Sequence, residues 1–135
     1  MTIRVLYHPS LKEIFSQNGL NLEALREDFK QYKETAIPAT IFGRDAEYNH
    51  PNGLPIVRQE KISHVHLEDS NSPWDVSVEQ FNKTSDIHLV YCQGFYDEKN
   101  FLLMAILSPN AHEQARNNNI MYNLGTMAKK FREQY

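Results

Sequence analysis

The chain is poor in the features that mark several protein classes. It has one cysteine, Cys92, in 135 residues. No internal disulfide can form, and the expectation is a reducing compartment. No apolar run approaches the roughly 20 residues that span a bilayer. The opening MTIRVLYHPS has no apolar block of the secretory type, so the protein is expected to be cytoplasmic and to have no membrane partner. Positive charge is not in excess: 14 Lys and Arg stand against 17 Asp and Glu, a formal net charge of −3. Unaided binding of nucleic acid usually needs a basic surface. An RNA-directed function would therefore rest on a local cationic patch or on a partner. Walker loop, dinucleotide fingerprint and G-x-S-x-G elbow are all missing, as are repeats, low-complexity segments and linkers. What remains, 41% hydrophobic and 23% charged, fits a single folded domain over residues 1–135.

Residues 2–8, TIRVLYH, alternate as a strand does. PSLKEIFSQNG reads as a short helix, with Ser10 and Glu13 at capping-box spacing and Gly19 as its stop. A second helix begins near Asn21 and repeats Leu22, Leu25, Phe29 and Tyr32 on one face. Residues 38–55 read as an irregular connection, and on the plainer reading of Arg44 and Asp45 the two are a turn pair that organises it. Strand character returns at 56–67, and Trp74 and Phe81 would pin the polar stretch 68–86 to the body. A hairpin follows, with strands 87–93 and 100–107. A helix over 111–133 would start at the Asn110/Glu113 capping pattern and bury Ile120, Leu124, Met127 and Phe131. The expected class is α+β, a small antiparallel sheet packed against helices.

Within KISHVHLEDS, His64 and His66 share one side of a strand and Val65 and Leu67 the other. With Val65 and Leu67 turned to the helices, Ile62, His64 and His66 face away. In the next strand Ile87, Leu89 and Tyr91 turn inward, and His88, Val90 and Cys92 join the histidines. If the strands are neighbours, three imidazoles share a face. On the last helix, His112, Arg116, Asn119, Asn123 and Lys130 fall along one cationic, donor-rich shoulder suited to phosphate. Plainer readings stand beside these. The histidines can be ordinary strand residues, His112 a helix-start residue, Arg116 a surface ion-pair partner and Cys92 a buried inert thiol. His-x-His with His88 offers three metal ligands, yet no acidic or cysteine partner stands at tight spacing. No metal and no cofactor is expected.

IFGRD (41–45), SHVHL (63–67), HLVYCQG (88–94), DE (97–98), LLMAIL (102–107), ARNNNIM (115–121) and GTMAKKFR (125–132) together resemble the YafO family of type II toxins. The resemblance keeps order and spacing over roughly residues 22–135. It implies a RelE-like toxin fold, with helices on one face of a curved antiparallel sheet and the active site on the opposite face. It also implies an mRNA interferase: a metal-independent, ribosome-dependent endoribonuclease that halts translation until a cognate antitoxin covers it. Its partners would be the antitoxin, the ribosome and mRNA. A ribosome that positions the message would relieve the toxin of gripping RNA by itself, which suits the acidic balance.

RNA cleavage of this kind needs a base for the 2′ proton, an acid for the leaving oxygen and cations for the phosphorane. On that implied chemistry, His112 is the expected acid and His66 or His64 the base, with Arg116 and Arg44 as phosphate ligands. His88, Asn119 and Lys130 are expected to contact RNA, and Tyr91 and Gln93 to support the fold. Two other functions stay open: a ribosome binder that blocks translation without cutting, and a gyrase-directed toxin of the same superfamily.

Overall fold

Pro9 marks the first change of structure. The alternating run before it is a strand, β1 (Arg4–Tyr7), and the proline sits in the first turn of α1 (Pro9–Gln17). The cap of α1 is His8, whose Nδ1 accepts from the Ser10 N–H at 3.2 Å. The expected capping role of Ser10 therefore passes to its neighbour. Asn21 caps α2 (Leu22–Thr35), its side chain accepting from the Ala24 N–H at 3.0 Å. The computed structural model describes residues 2–135.

The sheet has five strands: β1, then β2 (Phe42–Glu47), β3 (Ser63–Leu67), β4 (His88–Gln93) and β5 (Asn100–Leu107). Their spatial order is β1-β5-β4-β3-β2. All neighbours are antiparallel except β1, which runs parallel to β5 at one edge. The fold is α+β with a mostly antiparallel sheet, as expected. The parallel edge strand was not expected, and it follows from α1 and α2 carrying the chain away before β2 begins.

Three local expectations change. The connection 38–55 contains β2, so Arg44 and Asp45 are strand residues rather than a turn pair. Gly43 makes this possible: a Cβ there would lie 2.1 Å from the Lys83 carbonyl oxygen, so only glycine lets the two backbones approach. The N-terminal half of the expected strand 56–67 is a short helix, α3 (Pro55–Gln59). The expected helix 111–133 is two helices, α4 (Ala111–Gln114) and α5 (Asn118–Gln134). Asn117 separates them, its side chain capping α5 by accepting from the N–H groups of Asn119 and Ile120 at 3.0 and 3.1 Å.

Both sheet faces are covered. On the first face Val65, Leu89, Tyr91 and Leu103 pack with Leu11, Phe15, Leu25 and Phe29 of α1 and α2. On the second, Ile62, Val90, Cys92 and Met104 pack with Val57 of α3 and Met121, Leu124, Ala128 and Phe131 of α5. Each fully buried aliphatic or aromatic side chain contributes roughly 1.5–3 kcal/mol. The second face is thus closed along much of its length, contrary to the expectation of an open face. Ile62, Val90 and Cys92 need apolar cover, and the stripe of α5 supplies it. Gly125 of α5 allows the fit, because a Cβ there would meet Ile56 Cγ2 at 2.6 Å. The central strands β4 and β5 are buried on both faces, and Cys92 is an inert part of that core, with burial pushing its thiol up to about 12.

Candidate active site

Strand alternation sends His64 and His66 to the second face while Val65 packs on the first. The antiparallel register sets His66 directly opposite His88 and His64 opposite Val90. The strands are neighbours, and the three imidazoles do gather. Ring centroids are 4.5 Å apart for His66 and His88, 4.4 Å for His64 and His88, and 5.4 Å for His64 and His66. From β2, Ala46 pairs with His64, and Tyr48, just beyond the strand, lays its ring on His64 with centroids 4.0 Å apart. The Tyr48 hydroxyl is hydrogen-bonded to His88 Nδ1 at 2.7 Å.

His112 reaches the cluster from α4, its ring 5.6 Å from that of His88. Asp86, two residues before His88, holds α4 in place. Its carboxylate accepts from the Asn110 N–H at 2.6 Å and its carbonyl from the Ala111 N–H at 3.3 Å. His66 is held by the Ser85 peptide, whose N–H donates to Nδ1 at 2.8 Å and whose carbonyl oxygen lies 2.9 Å from the same nitrogen. A backbone N–H can only donate, so in the neutral ring Nδ1 carries the lone pair and Nε2 the proton. Arg44 lies on this face of β2, anchored by its Nε donating to the Phe81 carbonyl at 2.6 Å and by stacking 4.1 Å over the Phe81 ring.

The cluster is drier than a strand surface. His66 and His88 are 2% and 1% exposed, and His64 is half-buried. Burial pushes His64 down to about 3, helped by the charges of His66, His112 and Arg44. It also pushes His88 down to about 3, with His64, His66 and His112 adding to the effect and Asp86 opposing it. His66 moves the same way, by burial first and then Arg44 and His112, against the pull of Ser85. At neutral pH these three rings are uncharged, and the His66 lone pair is already engaged by the Ser85 N–H. Two of their buried nitrogens, His64 Nδ1 and His88 Nε2, have no hydrogen-bond partner.

Not every expected site residue joins the cluster. His88 lies beneath it rather than on a surface open to RNA. Arg116 stands exposed in the break between α4 and α5, and Asn119 is exposed in the first turn of α5. Lys130 is remote. It lines a groove of about 410 Å³ with His8, Leu102, Met127 and Phe131, roughly 18 Å along the helix axis from Asn118. The expected shoulder from His112 to Lys130 does not form, because the helix stops at Gln114 and restarts at Asn118. Tyr91 and Gln93 sit away from the histidines. The Tyr91 hydroxyl donates to Asp45, and the Gln93 amide donates to the Glu98 carbonyl at 2.7 Å. A groove of about 650 Å³ at the Ser63 end of the sheet, among Lys33, Glu47, Glu60 and Arg132, contains no histidine.

Sequence reasoning missed Tyr48, Ser85 and Asp86. A signal for Tyr48 was present: Ala46 and Tyr48 alternate with Asp45 and Glu47, the period of a strand. Ser85 and Asp86 act through backbone groups and a loop carboxylate, which leave no pattern. Among the described residues no helix is long and apolar enough to cross a membrane.

No solved structure matches the chain. In sequence it is 44% identical over 115 residues to the mRNA interferase toxin YafO of Escherichia coli (strain K12), covering 84% of this chain and 87% of that protein. The family described as toxin YafO, type II toxin–antitoxin system, matches residues 30–133, a span that holds Arg44, Tyr48 and the four clustered histidines. The chain belongs to the YafO family of type II toxin–antitoxin toxins.

Proposed function

We propose that this chain is an mRNA interferase that cuts messages on the translating ribosome, and that its cognate antitoxin silences it. The observation that carries the reading is the cluster of His64, His66, His88 and His112 with Arg44 at its edge, in a chain 44% identical to a named mRNA interferase toxin. Family membership implies an antitoxin partner. The acidic net charge of −3 favours a substrate presented by the ribosome over free RNA.

In the proposed reaction the 2′-oxygen attacks the adjacent phosphorus and the 5′-oxygen leaves. The products are a 2′,3′-cyclic phosphate and a 5′-hydroxyl, and the chemistry itself requires no metal. His64, the more exposed of the His64/His66 pair, takes the 2′ proton, because the His66 lone pair is already engaged by the Ser85 N–H. His112, exposed at the rim, protonates the leaving oxygen. Arg44, and Arg116 from the helix break, steady the phosphorane. His88 and Tyr48 hold the rings in place.

The test is primer extension on a defined message incubated with purified protein, with and without ribosomes. Cuts that need both ribosome and translation support the reading. Arrested translation with intact message would mean a non-cleaving ribosome binder, and DNA damage before any fall in translation would point to gyrase. Efficient cutting of naked RNA at physiological salt removes the ribosome requirement.

A further inference from the structure

One ring nitrogen can be chosen from each of His64, His66 and His88 so that all three lie within 4.8 Å of one another. Ideal tetrahedral zinc, with bonds of about 2.0–2.1 Å, places ligand nitrogens roughly 3.3 Å apart. Closing the gap asks for a shift of at most about 1.5 Å, and His64, the least buried of the three, has the most room to make it. His64 Nδ1 and His88 Nε2 are buried without a hydrogen-bond partner, and His88 is only 1% exposed. Such atoms are rare in folded proteins, because an unpaired buried polar group has lost its water without gaining a partner. A ligand that accepts their lone pairs would relieve both.

The donor set selects the ligand. It contains three imidazoles and no carboxylate, which disfavours magnesium and calcium and favours zinc, nickel or copper. The supports behind the rings are those of metal-bound histidines. Tyr48 holds His88 Nδ1 at 2.7 Å, leaving the buried Nε2 as the nitrogen without a partner. The Ser85 carbonyl lies 2.9 Å from His66 Nδ1, ready to accept its N–H once a metal takes Nε2. In that change the ring proton moves from Nε2 to Nδ1, and the Ser85 peptide gives up one bond for another.

We propose that His64, His66 and His88 form a binding site for a divalent transition-metal ion of the zinc class, with a fourth position facing His112. The site stands on its geometry alone. Its consequence rests on the interferase reading: a metal on these nitrogens occupies the lone pairs that proton transfer needs, so the loaded toxin does not cut.

The experiment uses metal-stripped full-length protein, titrated with Zn²⁺ by calorimetry and with Co²⁺ by visible absorbance. Expected are one ion per chain and the d–d bands of four-coordinate cobalt. His64→Ala/His88→Ala, shown folded by circular dichroism, should lose the bands and the stoichiometric binding. Should that variant fail to fold, Tyr48→Phe serves in its place, and its affinity should fall about 10–100-fold. No stoichiometric binding, or binding unchanged in the folded histidine variant or in Tyr48→Phe, would overturn the site. Ribosomal cleavage is then measured with and without one equivalent of Zn²⁺. Loss of cutting supports the block, and full cutting by loaded protein overturns it. A protein that binds zinc but never cuts, loaded or stripped, sinks the interferase reading and leaves the metal site standing.

Discussion

The ring of Tyr48 lies nearly parallel to the ring of His64, with planes 11° apart and centroids separated by 4.0 Å. The same side chain reaches His88 through its hydroxyl. One tyrosine thus covers one histidine and orients another. Tyr48→Phe should keep the stack and lose the hydroxyl contact, at a cost of about 1–3 kcal/mol for a buried group left unpaired. Tyr48→Ala should cost more, about 3 kcal/mol or above, because the cover is lost as well. Urea unfolding of both variants checks this, and a Tyr48→Phe midpoint equal to wild type would show that the hydroxyl does not hold the cluster.

A second network joins α2 to the sheet. Lys33 Nζ lies 2.8 Å from the Asp45 carboxylate, which also accepts from the hydroxyls of Tyr32 and Tyr91. Burial, and next the Asp45 charge, push Tyr32 up to about 12, and Tyr91 shifts the same way for the same reasons. In the unfolded chain a tyrosine loses its proton near pH 10. Between about 10 and 12 the folded state therefore holds protons that the unfolded state has lost, and stability falls as pH rises. Below pH 10 the contribution is complete. Unfolding midpoints measured from pH 8 to 11 should drop more steeply for wild type than for Tyr32→Phe, and equal slopes would remove Tyr32 from the account.

Gly43→Ala should be among the more damaging single-methyl changes. Its Cβ would sit 2.1 Å from the Lys83 carbonyl and 2.7 Å from the Trp74 ring. Overpacking of this kind costs about 1–3 kcal/mol. The strain falls where β2 meets the segment that anchors Arg44, so Trp74 fluorescence should shift along with the lost stability. Unchanged fluorescence and stability would mean that the backbone there is loose enough to take a methyl group.

Cleavage should separate His112 from Lys130. His112→Ala should slow single-turnover cutting on ribosomes by about 10²–10⁴-fold, with stability changed by only about 0.5 kcal/mol because the residue is exposed. Lys130→Ala, on the far groove, should cut at the wild-type rate. His64→Ala/His66→Ala should lose cutting too, and also some stability, since His66 is buried. Wild-type cutting by the folded double variant would make the paired histidines structural.

Much of this layout was readable from local pattern. Period-two alternation put His64, His66 and His88 on one side of two strands, and Val65, Leu89 and Tyr91 on the other. The hairpin fell within a residue of its place, since both strands carry long apolar runs. What could not be read depends on distant partners. β2 is a strand through its pairing with β3, and Gly43 lets it approach Lys83, forty residues on. The face carrying the histidines is covered because α5 has a stripe to bury, and periodicity alone does not say against which face. Lys130 was misplaced because helical spacing was carried across Asn117, a strong cap in a run of three asparagines.

The register of β3 against β4 has a bearing on how this chain tolerates change. His66 stands opposite His88 because of the strand pairing, and the length of the intervening segment 68–87 does not enter. Lengthening the exposed stretch 75–77 would cost only the slow logarithmic growth of loop-closure entropy, about 0.6 kcal/mol for each doubling. A single residue added between His64 and His66 would turn one imidazole to the face packed on α2 and break up the group. Insertions are therefore cheap in the loop and ruinous in the five residues of β3.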